Sequence, residues 1–229
     1  TPAGTWVPRP APLALGNFAA LRQLPVLGDL FSITRGEECG KRDRSVRDAP
    51  GEHRYPLLRG EDVTAYATRH AGLWLDRSEL GTRAKSPALY AAPKLLVRRV
   101  ANNLVAAIER DGCHVLNTLY VLRPRTAVMP SLEYACALLN APAVNACFRA
   151  MWLNDDQLFP YLRIEQLRAL PFALPAEATA RQAVEVVGQL EASLAAGEQA
   201  AAAALQEQLA ALVVESYQRA MELARATTL

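Results

Sequence analysis

Histidine and cysteine are scarce, with three His and four Cys in 229 residues, and none stands at the spacing of a metal site. Cys39, Cys113, Cys136 and Cys147 fall at irregular intervals with no Cys-x-x-Cys. That pattern suits reduced thiols in a cytosolic protein better than a disulfide framework or a zinc site. No apolar run approaches the roughly eighteen residues of a transmembrane helix, so no membrane span is expected. Thr1-Pro2-Ala3-Gly4 has neither the charged nor the apolar region of a signal peptide. Without Met at position 1, the sequence reads as a piece of a longer chain. The glycine motifs that cradle phosphates are missing, both Gly-x-x-x-x-Gly-Lys-Ser/Thr and a Gly-x-Gly-x-x-Gly after a strand. So are the Asn/Asp-Pro-Pro-aromatic tetrapeptide of amino-methylating enzymes and the Pro-Asp…Glu-x-Lys pattern of many nucleases. No recognisable catalytic apparatus is left.

Two pairs come nearest to chemistry. Cys113-His114 sets a nucleophile beside a base, but neighbours on a strand point to opposite faces, so alternation argues against the pair. A hydrolase working through Cys113 is the reading that this argument disfavours. Asp155-Asp156 carries the residue type of a metal site, yet a solvated loop or a helix cap accounts for it as well. His53, His70 and His114 stand alone, without an acidic neighbour at ligand spacing.

What the sequence does contain is an uneven charge. Residues 1–125 hold 19 Lys and Arg against 12 Asp and Glu, whereas residues 126–229 hold 6 against 11. A basic half is the electrostatic footprint of a polyanion binder, and an acidic half is poorly suited to touch phosphate. Of the 25 basic residues 22 are Arg, an excess that a GC-rich genome explains; the clustering is therefore the informative feature.

Periodicity divides the chain into three parts. Residues 1–17 carry Pro2, Pro8, Pro10 and Pro12 and read as a linker or extended arm. Residues 18–175 form a mainly β domain with some helix. Its expected strands are Val26–Ile33, Arg54–Leu58 and Lys94–Val100, followed by a hairpin of 104–109 and 115–122 across Asp111-Gly112. Ser131 caps a helix through Leu139, and Pro142 opens a second that carries Val144, Cys147, Phe148, Met151 and Trp152. Residues 176–229 show two apolar stripes separated by Gly197. One is Val184, Val187, Leu190 and Leu194, and the other runs from Leu205 to Ala224. They read as an antiparallel helical hairpin, a spacer or docking element, appended to an α+β body. A protein-interaction module docking a partner through that hairpin is the alternative to a polyanion binder.

The basic segment Lys41-Arg42-Asp43-Arg44-Ser45-Val46-Arg47-Asp48 has almost nothing apolar to bury, so it presents cations to phosphates and one or two Arg forks to base edges. A solvated loop with charges partly cancelled by Asp43 and Asp48 is its plainer interpretation. On the strand 94–99, alternation puts Lys94 and Arg98 on one face while Leu95 and Val97 pack inward. Trp74, Tyr55, Tyr66 and Tyr90 have the shape to stack on a base, although core packing explains each equally well.

Six segments in order complete the reading. They are Gly28–Gly36, Tyr55–Val63, Lys94–Arg98, Leu116–Leu122, Leu138-Leu139-Asn140 and Arg163–Phe172, with a closing helix around Leu212–Tyr217. Their order and spacing resemble the C-terminal target-recognition domain of adenine-specific DNA methyltransferases and fused type II restriction–modification enzymes, and type I specificity subunits are similar. The usual Leu-Leu-Asn-Ser reads here as Leu138-Leu139-Asn140-Ala141. The resemblance implies a non-catalytic module that binds double-stranded DNA in the cytoplasm. It would face a methyltransferase domain of the parent chain or a partner subunit. S-adenosylmethionine, and Mg where a nuclease is fused, would belong to the parent. DNA contacts are expected in the loops after Arg35 and Arg59 and near Lys94 and Asn117. Arg35, Lys41, Arg42, Arg44, Arg59, Lys94 and Arg98 are the expected cationic contacts. Among these Arg42 and Arg44 are expected to read bases and the others to hold phosphates.

Overall fold

The computed structural model describes residues 21–40, 42–126, 131–152 and 161–226. The arm expected over residues 1–17, together with Lys41 and Asp155-Asp156, lies outside the described residues. The architecture is α+β, as expected. One antiparallel four-stranded sheet has the order β1-β10-β7-β8, built from β1 (Phe31–Arg35), β7 (Lys94–Arg98), β8 (Ala106–Glu109) and β10 (Leu119–Pro124). A second sheet has the order β2-β6-β3-β9, from β2 (Val46–Arg47), β3 (Arg54–Leu58), β6 (Trp74–Asp76) and β9 (His114–Val115); its β3–β9 pairing is parallel. A two-stranded ribbon joins β4 (Val63–Thr64) to β5 (Ala67–Thr68). The described helices are α1 (Leu27–Leu30), α2 (Arg77–Leu80), α3 (Leu132–Asn140), α4 (Pro142–Trp152), α5 (Ile164–Arg168), α6 (Glu177–Ala196) and α7 (Gln199–Ala226).

Both faces of the large sheet are buried. Leu95, Val97, Tyr120 and Leu122 face the helices, in a cluster with Tyr134, Leu138, Phe172, Leu190 and Val213. Leu96, Leu119 and Val121 face the other way, against Leu58, Tyr90 and Val115. Strands covered on both faces read as continuous apolar runs, so simple alternation misassigns one side. That is why the expectation of an outward Lys94 fails: positions 94 to 97 are all buried.

Two further expectations are corrected. Leu27–Leu30 is a single helical turn before β1, where a strand through Val26–Ile33 was expected. Asp111-Gly112 does make a turn, with Gly112 at φ +76°, yet β8 and β9 do not pair across it. The Glu109 carboxylate accepts the backbone N–H groups of Asp111, Gly112 and Cys113 at 2.8, 3.2 and 3.2 Å, which folds the chain away from β8. β8 pairs with β7 instead, and β9 with β3. The helix signals fared better. Ser131 accepts the Tyr134 N–H at 3.1 Å, Pro142 opens α4, and Gly197 ends α6 in the left-handed region at φ +75°.

α6 and α7 form the expected antiparallel hairpin, and the body itself covers its seam. Ala183, Val186, Val187, Leu190, Leu209, Leu212, Val213 and Tyr217 belong to the same buried cluster as the large sheet, whereas Val184 is exposed. Arg110 at the end of β8 ties the layers together by pairing with Glu191 of α6 and Glu133 of α3 at 3.2 and 3.3 Å. No helix among the described residues is long and apolar enough to cross a membrane.

Candidate nucleic-acid interface

Three chain segments leave their strands at the same corner. β1 exits through Gly36, β3 through Arg59-Gly60, and the segment Val115–Thr118 lies between them. Gly36 donates its N–H to the Leu119 carbonyl at 3.0 Å, and a Cβ at Gly36 would stand 2.3 Å from the carbonyl oxygens of both Val115 and Leu116. Only glycine permits that approach. Glu37 N–H donates to Val115 O at 2.7 Å and Asn117 N–H to Glu37 O at 2.9 Å, while Leu116 N–H reaches Leu58 O at 3.0 Å. On the other side the Gly60 N–H donates to Thr118 Oγ1 at 2.9 Å, and Arg99 N–H to Thr118 O at 2.9 Å. The result is a clasp that brings four segments around one pocket of 320 Å³. Its lining includes Cys39, Gly40, Arg59, Arg98, Asn117 and Thr118.

The expected contact residues divide into groups. Arg59, Arg98 and Asn117 meet in the pocket, with Gly40 at the root of the basic segment beside them. Arg59 binds Asp62 through two nitrogens at 3.0 Å each and also pairs with Glu61, so its charge is balanced locally. Those bonds to Asp62 hold its guanidinium above the usual arginine range. Asn117 donates to Glu38 at 3.0 Å. Arg98 differs: it makes no ion pair among the described residues, and its buried Nε has no hydrogen-bond partner. A desolvated donor without an acceptor is costly, and it leaves Arg98 the least satisfied cation of the pocket lining.

Arg35, Arg42 and Arg44 do not line this pocket. Arg42 is exposed, and Arg44 is exposed and pairs with Glu79 at 3.2 Å. Their segment is an ordered turn. Asp43 accepts the Ser45 N–H and hydroxyl at 3.0 and 2.9 Å, bonds that hold its carboxyl below the usual range, and β2 follows directly, paired with β6.

Lys94 leaves the set. It is fully buried, donates to Tyr90 O at 2.9 Å, and is ion-paired with Glu109, so its ammonium faces the interior and cannot reach a phosphate. Burial opposes ionisation of Glu109, but Lys94, with the Cys113 and Asp111 N–H groups, outweighs it and keeps the carboxyl low. The pair fastens the Tyr90 segment and the turn after β8 to the β7–β8 ladder.

The residue that sequence reasoning missed is Glu37. It is only 1% exposed and sits among Arg77 at 3.8 Å, His114 at 4.0 Å and the Lys85 N–H at 3.2 Å. Lys85 in turn donates to Arg35 O at 2.7 Å. Glu37 thus fixes the root of the basic segment to β9 from below. In the sequence it is one acid of Gly36-Glu37-Glu38, indistinguishable from its exposed neighbour. Burial, then the positive charges of Arg77 and Lys94, push His114 down to about 3, so it is a neutral ring packed between Tyr90 and Tyr55, tilted to both, with ring centres 4.0 and 4.8 Å away. Burial and Glu109 push the Cys113 thiol up to about 12, so its surroundings disfavour the thiolate that a nucleophile needs. Tyr66 and Tyr90 are core residues, Tyr55 is half-exposed against His114, and Trp74 meets His70 edge to face. Among the described residues no group of three or more His, Cys, Asp or Glu is arranged to hold a metal ion.

Among curated proteins, none matches this chain. Its fold is similar to that of several solved structures. One belongs to a type I restriction–modification system (16% identity, TM-score 0.54, covering 87% of this chain and 45% of that one). Another is the HsdS subunit from Thermoanaerobacter tengcongensis (16%, TM-score 0.50, 94% and 47%). A third is the type IIL restriction–modification enzyme MmeI, solved in complex with DNA (13%, TM-score 0.56, 86% and 34%). The chain thus spans less than half the length of each, and at such identities the likeness is one of fold. A family model matches residues 55–172, which contain all but the first residue of β3, β4 to β10, α3, α4 and α5, and hence Arg59, Arg98 and Asn117. The chain belongs to the TaqI-like C-terminal specificity domain family.

Proposed function

We propose that this chain recognises a specific sequence in double-stranded DNA, as the target-recognition part of a restriction–modification enzyme. The observation that carries the reading is the pocket at the clasp, where Arg98, which makes no ion pair among the described residues, stands beside Asn117 and Thr118. An Arg fork and an amide side by side match the acceptor and donor pattern of base-pair edges in the major groove. Arg42, Arg44 and Lys41, on the segment rooted at Gly40, add phosphate or base contacts next to it. The parent enzyme is read as an adenine-N6 DNA methyltransferase, with or without a fused nuclease. It would supply S-adenosylmethionine, and Mg in the fused case, on a methyltransferase domain or subunit facing this one in the cytoplasm. α6 and α7 serve that assembly as spacer or docking element.

The test is selection of duplexes from a random pool by the 229-residue chain, followed by titration of the winning site against scrambled DNA. A defined site is expected, bound at least 1,000-fold more tightly than scrambled duplex. Arg98→Gln is expected to cost about 1–3 kcal/mol and to relax preference at one position only. A pool that shows no enrichment would overturn the proposal.

A further inference from the structure

The chain leaving β7 carries a further cation, Arg99, beside the pocket. Arg99 donates from its guanidinium to Asn117 O at 3.3 Å, and its own carbonyl accepts the Leu162 N–H at 2.9 Å. Val100 bridges to Tyr161, which lays residues 161–163 alongside this exit. Tyr161 is 53% exposed, and the Arg99 guanidinium lies 5.6 Å from its ring centre. Leu162 is buried and Arg163 exposed, so Tyr161 and Arg163 share the outward face. From α4, exposed Arg149 reaches across to Asn103 in the loop that follows, and Leu104 anchors that loop by donating to buried Asn145 at 2.6 Å. Arg98 and Val100 line the pocket itself, so the group and the pocket are continuous.

Several arginines around the pocket are already engaged: Arg44, Arg47, Arg59 and Arg83 each pair with a carboxylate, whereas Arg99, Arg149 and Arg163, like Arg42, pair with none among the described residues. Cations without a carboxylate partner are free to meet a polyanion, which releases its condensed counterions on binding. Arg99, clamped between a carbonyl and an aromatic face, is held in position for such a contact.

We infer that Arg99, Arg149 and Arg163, with Tyr161, form a phosphate track that continues from the pocket and holds the backbone of the duplex whose base edges enter it. The inference rests on the DNA-binding reading above. It adds a sequence-independent surface, made from segments outside the basic loop, that sets the duplex in register with the readers.

The test compares salt titrations on a mixed-sequence 20-base-pair duplex, with thermal unfolding confirming that each variant is folded. The variants are the triple Arg99→Gln, Arg149→Gln, Arg163→Gln, and a control triple, Arg181→Gln, Arg219→Gln, Arg225→Gln, which removes equal charge from the hairpin. The track triple is expected to reduce the slope of log K against log salt by about 2.7, and to weaken binding about 100-fold near 0.15 M salt, for specific and scrambled duplexes alike. The control should leave the slope within about half a unit of the parent. An unchanged slope in the track triple, while the parent chain still binds DNA, would overturn the track and leave the DNA-binding reading standing. If the parent chain binds no duplex, the reading itself falls. Equal losses in both triples would mean that net charge alone acts. Should the track triple lose retention on polyglutamate with DNA affinity intact, the surface belongs to an acidic protein and not to DNA.

Discussion

At the level of single residues, the charged and titratable side chains owe their roles to what surrounds them. Lys94 and Arg98 lie four residues apart on one strand, yet Lys94 is sealed in the core with Glu109 while Arg98 borders an open pocket. Burial of an ion pair is tolerable only with further hydrogen bonds, and Glu109 receives three of them from the turn it closes. His114 yields a prediction. Its proton affinity is that of a group near 3 in the folded chain and about 6.5 in the unfolded one. Between those values the unfolded chain binds a proton that the native one refuses. Its contribution is therefore complete above pH 6.5 and declines as the pH falls below it, by up to about 1.4 kcal/mol per pH unit. Urea unfolding at pH 7.5 and 5.0 should show a smaller loss for His114→Phe, which keeps the stack between Tyr55 and Tyr90, than for the parent. Equal losses would mean that another group controls the acid side.

At the level of elements, the clasp at the exits of β1 and β3 is the structural invention that makes a site out of weak pieces. Gly36 is its tightest point, because no side chain fits beneath the Val115 and Leu116 carbonyls. Gly36→Ala must push these segments apart. It is expected to cost about 1–3 kcal/mol in denaturant unfolding and to move the amide resonances of Leu116, Asn117 and Thr118. A stability within about 0.5 kcal/mol of the parent, with those resonances unmoved, would show that the corner yields freely. The longer helices and the strands β3, β7 and β8 were legible beforehand, whereas α1, α2, α5 and the short strands β2, β4, β5 and β6 were not. Ser131, Pro142 and Gly197 marked helix boundaries correctly, since capping and left-handed backbone are local physics. The pairing of β8 and β9 was not legible. An Asp-Gly turn signals a reversal, but the Glu109 carboxylate decided which way the chain left it.

For the whole molecule, a single apolar cluster extends from the large sheet into both hairpin helices. α6 and α7 are thus part of the folding unit. Tyr217 donates to Pro171 O at 2.5 Å and Tyr134 to Ala173 O at 2.9 Å, which pins the segment before α6 from both sides. A chain ending at Ala176 would expose Tyr134, Leu138 and Phe172, and it is expected to lose cooperative thermal unfolding and to bind a hydrophobic dye. A sharp transition near the parent melting temperature would show instead that the body stands alone. Calorimetry and dye fluorescence decide between the two.

The α+β class, the basic first half and acidic second half of the chain, and the boundaries of the long helices could be read from the chain, because composition, short-range periodicity and local capping set them. The family resemblance came from the order of six segments, and with it the expectation of contacts at Arg59, Arg98 and Asn117, three positions far apart along the chain. That these three share a pocket, that Lys94 is interior and that Glu37 anchors the basic segment emerged from the folded molecule. Each of those outcomes depends on what a second strand or loop places opposite the residue, and a chain read one residue after another does not carry that information.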